Sequence, residues 1–97
     1  MFKLPINFKE FKSLLFTAYD EWDYSSKQAT KYASEIIIED LYNKHELAGV
    51  TDFKIDEIDL MNTLISIGTD ILNGKKINGF KIDSEDPTNF EVTLEEN

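Results

Sequence analysis

Apolar residues recur at helical spacing through the first two thirds of the chain. Phe8, Phe11, Leu15, Ala18 and Trp22 follow one another at steps of 3, 4, 3 and 4, which places them on one face of a helix. Asn7 with Glu10 three residues on matches an N-cap and its acidic partner, so the helix is expected to start near residue 7, just after Pro5. Ser25 with Gln28 repeats the signal and predicts a second start. Its inner line runs Ala29, Ala33, Ile37, Leu41, broadened by Ile36 and Ile38. Gly49 is the expected left-handed C-cap, and Lys44 and His45 fall in the last turns, where positive charge suits the helix dipole. That position makes His45 a solvated helix-end residue. A third helix, capped by Asp56 or Asp59, carries Ile58, Met61, Leu64, Ile65, Gly68, Ile71 and Leu72 inward, with Leu60 and Ile67 widening the face. It is expected to be the most buried of the three and to end at Asn73-Gly74.

Beyond that point the period changes to 2. Phe80-Lys81-Ile82 and Phe90-Glu91-Val92-Thr93-Leu94 alternate, with Ser84 to Thr88 as the loop between them. Residues 50–55 alternate too and read as a short strand or an extended linker. Asn78-Gly79 is a type I′ turn signal that would pair 75–77 with 80–82 as a third strand, although that register sets Lys76 against Lys81. The fold class is α+β: three helices packed on a small C-terminal antiparallel β-hairpin or three-stranded sheet, within a single domain spanning residues 1–97.

Composition narrows the classes of function. The chain is 41% hydrophobic, with seven Phe and eleven Ile, too apolar for intrinsic disorder. It has no Cys, so neither a disulfide nor a thiolate metal site is available, and a reducing cytoplasm is the expected setting. No signal peptide is expected, because Lys3, Lys9, Glu10 and Lys12 interrupt the early apolar sequence. The longest apolar run, Ile36-Ile37-Ile38, is far too short to span a bilayer. Net charge is −9, and all ten cations are Lys. Without the planar guanidinium fork and with net repulsion from phosphates, direct nucleic-acid binding is not expected, nor is an anionic membrane surface.

Motifs for catalysis are absent. The four glycines, Gly49, Gly68, Gly74 and Gly79, do not form a phosphate-binding loop. No Ser stands in a strand-to-helix elbow, and one His without Cys offers no metal set, so no enzyme activity and no cofactor are expected. The runs Asp52 to Asp59 and Asp83 to Asp86 supply oxygen ligands, yet neither follows the EF-hand pattern. A solvated loop accounts for the second, and helix capping accounts for Asp56 and Asp59 in the first.

The candidate surface is acidic. Tyr19-Asp20-Glu21-Trp22-Asp23-Tyr24 holds three carboxylates and no Lys at the end of the first helix, where negative charge opposes the dipole. Trp22 itself continues the apolar line and is expected to anchor the helix corner in the core. Carboxylates gather again at 52–59 and 83–86. Together Asp20, Glu21, Asp23, Tyr24, Asp52, Asp56, Glu57, Asp59, Asp83, Glu85 and Asp86 are the expected partner-binding residues, if the fold joins them into one patch. Such a patch suits steered binding to a basic protein surface, such as that of a nucleic-acid-binding enzyme. In size, acidity and lack of catalytic motifs the chain is similar to anti-CRISPR, anti-restriction and nuclease-immunity proteins, which implies an inhibitor presenting carboxylates where a partner expects phosphates. A second reading is a self-associating structural or regulatory module, a homodimer using apolar helix surface and the edge strand Phe90–Leu94.

Overall fold

The computed structural model describes residues 4–47 and 55–95. Helix α1 (Phe8–Phe16) runs into a π turn (Thr17–Glu21); α2 (Ser26–Leu47), α3 (Glu57–Leu72), β1 (Ile77–Ile82) and β2 (Phe90–Leu94) follow. Among these residues the fold is α+β, three helices and one two-stranded antiparallel sheet. The expected Gly49 cap, Asp52 and most of the 50–55 segment lie outside the described residues.

The caps form where the side-chain chemistry demands them. Asn7 Oδ1 accepts from the Glu10 amide at 3.1 Å. At the start of α2 the box is reciprocal: the Gln28 amide donates to Ser25 Oγ at 3.2 Å and the Ser25 amide to Gln28 Oε1 at 3.0 Å. Asp56, not Asp59, caps α3 by accepting from the Asp59 amide at 3.0 Å. Each bond satisfies an amide that the helix itself cannot.

Helix α2 packs against both α1 and α3. Ala29, Ala33, Ile37 and Leu41 are all buried, as their spacing requires. The small residues on α2 let its neighbours approach closely. Buried Thr30 and Ser34 return their hydroxyls to the helix's own backbone, to Ser26 and Thr30 carbonyls at 2.8 and 2.6 Å, and so leave nothing polar unsatisfied. On α3 the buried line is Leu60, Leu64, Ile67 and Ile71, with Gly68 beside it. The face is therefore centred on Leu60 and Ile67, which the sequence spacing had put at its margin. Ile58, expected inward, is 74% exposed.

Two further expectations change. Asn78-Gly79 is no turn. Strand β1 runs straight through it, and the register against β2 shifts between Ile77 and Gly79. Side chains alternate along a strand, so Ile77 and Phe80 would face opposite ways in a regular one. The one-residue bulge corrects the parity and turns Ile77, Phe80 and Ile82 to the same face. Ile77 and Ile82 are buried, and Phe80 packs on Phe8 and Phe11 at 5.4 and 5.8 Å between ring centroids. No third strand pairs in the sheet among the described residues, although the Leu4 amide donates to the Ile82 carbonyl at 2.9 Å. His45, expected in solvent, is half-buried, with Nδ1 2.7 Å from the Leu41 carbonyl oxygen.

Candidate functional site: an aromatic and acidic corner

The corner between α1 and α2 begins with a change of helix type. The Trp22 amide bonds to the Thr17 carbonyl at 3.2 Å, five residues back, and the Tyr24 amide to the Ala18 carbonyl at 3.0 Å, six back. Each residue of so wide a turn advances less around the axis than an α-helical residue does. Trp22 thus falls behind the buried line of Phe11, Leu15 and Ala18. It is 46% exposed, which overturns its expected place in the core. Asp23 then takes φ 55°, the left-handed position usually given to glycine, and the chain turns into the Ser25 cap.

Exposed does not mean loose. The Trp22 ring meets Tyr24 at 5.7 Å and Tyr32 of α2 at 5.1 Å, and Tyr24 meets Tyr32 at 6.4 Å, all edge to face. Edge-to-face pairs contribute roughly 0.5–1.5 kcal/mol each beyond burial, enough to hold the three rings as a unit on the outside of α2. Beside them lies an open pocket of about 310 Å³ lined by Tyr24, Gln28, Lys31, Tyr32 and Glu35. Asp20, Glu21 and Asp23 are exposed alongside, and Tyr19 is 39% exposed. Of these, the sequence reading named Asp20, Glu21, Asp23 and Tyr24 as binding residues. It missed Trp22 as a surface residue and Tyr32 altogether. The signal for Tyr32 was present: Gln28, Lys31, Tyr32 and Glu35 share the helix face opposite Ala29 and Ala33.

The other acids form a separate group at the far end of the helices. Asp56, Asp59 and Asp86 come together there, where partial burial of Asp59, then repulsion from Asp56, a bond with its carboxyl and repulsion from Asp86 hold the Asp59 carboxyl above its ordinary range. Thr63 Oγ1 donates to the Pro87 carbonyl at 2.8 Å and pins the loop to α3. Tyr42 is raised by burial and by a bond with Glu57. Close by, Glu10 is raised by its bond with the Asp40 carboxyl, by partial burial and by Asp40's charge, with Lys44 opposing.

Fourteen residues of α2 separate Gln28, at the aromatic corner, from Tyr42, about 21 Å at 1.5 Å per residue. The fold thus joins 56–59 with 83–86 and leaves 20–24 apart, so among the described residues the acidic runs do not converge on one patch. In the loop, Asp83 accepts from the Glu85 amide at 2.9 Å, and Asp86 from the Thr88 amide and hydroxyl at 3.1 and 2.6 Å. These are turn-forming bonds. Glu85 is exposed. No cluster of three or more His, Asp or Glu among the described residues is arranged to hold a metal ion. No helix among them is long and apolar enough to cross a membrane. No family model, curated protein or solved structure matches the chain.

Proposed function

We propose that this chain is a protein-binding module without catalytic activity, whose aromatic and acidic corner engages a basic surface of a nucleic-acid-handling protein and blocks it. The observation that carries this reading is the exposed Trp22–Tyr24–Tyr32 unit standing beside Asp20, Glu21 and Asp23. Aromatic residues are enriched at the energetic centres of protein interfaces, and a rigid cluster loses little entropy on binding. Ring faces also attract Lys and Arg, at about 0.5–1 kcal/mol when exposed. The neighbouring carboxylates add long-range steering toward the same cations. The second acidic group, at Asp56, Asp59 and Asp86, lies too far away to belong to the same small footprint and serves as a solubilising end.

Trp22 is the protein's single tryptophan, so its emission reports on the corner directly. The test titrates the protein with an oligoarginine peptide, then with purified restriction enzymes, CRISPR effectors and nuclease toxins, following emission and the activity of each enzyme. A saturable spectral change that weakens with salt, inhibition of one of these enzymes, and a loss of roughly 30-fold or more on Trp22→Ala, the hot-spot level, are the expected results. A corner whose emission responds to none of them, in a protein with an intact fold, would rule the reading out.

A further inference from the structure

Among the described residues the sheet leaves one edge open, and its sequence is complementary to itself. The Asp83 amide donates to the Asn89 carbonyl at 3.0 Å and the Glu95 amide to the Lys76 carbonyl at 2.8 Å. Backbone direction alternates along an antiparallel pair, so Asn89, Glu91, Thr93 and Glu95 turn their hydrogen-bonding groups toward β1. Phe90, Val92 and Leu94 therefore turn theirs away, to an edge with no further strand among the described residues. The same three residues carry the apolar face of β2. Phe90 and Leu94 are 37% and 53% exposed, with half-buried Val92 between them. A two-stranded sheet with such an edge is a template for another strand.

We infer that the chain forms a homodimer in which β2 pairs antiparallel with β2 of a second copy, with the two-fold axis at Val92. The register follows from charge and hydrogen-bond parity. Centred on Val92, the pairing sets Val92 against its own copy and Phe90 against the copy's Leu94, so all three residues with outward groups bond across the edge. Glu91 then faces Thr93 of the copy, and Glu95 faces Asn89, so no carboxylate opposes another. Centred on Glu91, the pairing sets that residue against itself; centred on Thr93, it sets Glu91 against Glu95. Like charges directly opposite are destabilising. A shift to any intermediate register matches outward groups with inward ones or turns Val92 to the polar face.

The dimer rests on observations independent of the aromatic corner, and salt separates the two ideas. Two copies at −9 repel, so screening strengthens the dimer, whereas it weakens capture of a basic partner. The decisive variants are Thr93→Lys and Thr93→Glu. Thr93 is exposed, and within the chain it faces Gly79, so neither change meets a charge directly across the existing pair. In the Val92 register each places its new charge opposite Glu91 of the copy, twice by symmetry. Sedimentation over micromolar to near-millimolar concentration should show dimerisation of the parent chain. Two cross-strand charge pairs should tighten it roughly 2- to 30-fold in T93K, and T93E should weaken it by a similar factor. Asn43→Lys, the same charge change at an exposed site on α2, controls for net charge and should leave less than half of the effect. A parent that stays monomeric throughout at high salt overturns the inference. So does weakening by both Thr93 variants, which marks a Thr93-centred register, or an equal gain from N43K.

Discussion

Gly68 of α3 lies against side chains of both α1 and α2, and its replacement by alanine tests the packing account most sharply. A Cβ there would lie 2.9 Å from Thr30 Cγ2, 3.1 Å from Leu15 Cδ2 and 3.3 Å from Phe11 Cζ. None of these neighbours can withdraw cheaply. The Thr30 methyl is fixed because its hydroxyl is bonded to the Ser26 carbonyl, and Leu15 and Phe11 are wholly buried. Two effects oppose each other. Alanine favours a helix interior over glycine by about 0.8–1 kcal/mol, while overfilling a packed core costs about 1–3 kcal/mol. Three simultaneous close contacts put this site toward the upper end, so a net loss of about 1–2 kcal/mol is expected. In a domain of this size that lowers Tm by roughly 5–15 °C. Thermal unfolding followed by circular dichroism measures it. Thr30→Ser removes the methyl at 2.9 Å and keeps the hydroxyl, so Gly68→Ala should cost less in that background, by at least ~0.5 kcal/mol of coupling. Should Gly68→Ala prove neutral or stabilising in the parent chain, the helices are not packed as closely as argued.

Two other outcomes follow from particular residues. Asp23 combines a left-handed backbone with a negative charge at a helix C-terminus, so Asp23→Asn, which tolerates that backbone and removes the charge, should stabilise by about 0.3–1 kcal/mol in urea unfolding; the same variant should weaken binding of a basic partner, and a gain in affinity would contradict the steering argument. Glu10 holds its proton to higher pH in the folded chain than the ordinary 4.5, chiefly through its bond with Asp40, and Asp59 is shifted the same way. As pH falls from neutral the folded state then binds protons ahead of the unfolded one, so stability should rise toward that ordinary value and level off below it. Glu10→Gln should be more stable than the parent at neutral pH and show a shallower rise, read from urea midpoints across pH; a midpoint that falls on mild acidification would refute this.

What local sequence could determine, it determined: the starts of the helices and the inner lines of α1, as far as Ala18, and of α2. A cap is a bond between residues three apart, and a helical face is a matter of spacing, so Asn7, Ser25, Gln28 and the line from Ala29 to Leu41 were all legible. The failures share another origin. Trp22 fits the 3.6-residue period, but one wide turn before it moved the ring into solvent, where Tyr32, ten residues further along the chain on α2, received it. Asn78-Gly79 has the composition of a turn. Only the need to bury Ile77 on the same side as Phe80 and Ile82 made it a bulge instead. The centre of the α3 face moved to Leu60 and Ile67 because it packs on α2 at Gly68 and Thr30, a contact between residues 38 apart. Charge shows the same division. The sequence set how many carboxylates there are and which segments hold them, but the length of α2 kept the aromatic corner and the Asp56–Asp59–Asp86 end apart, since distance in space belongs to the packed helices and not to the order of residues.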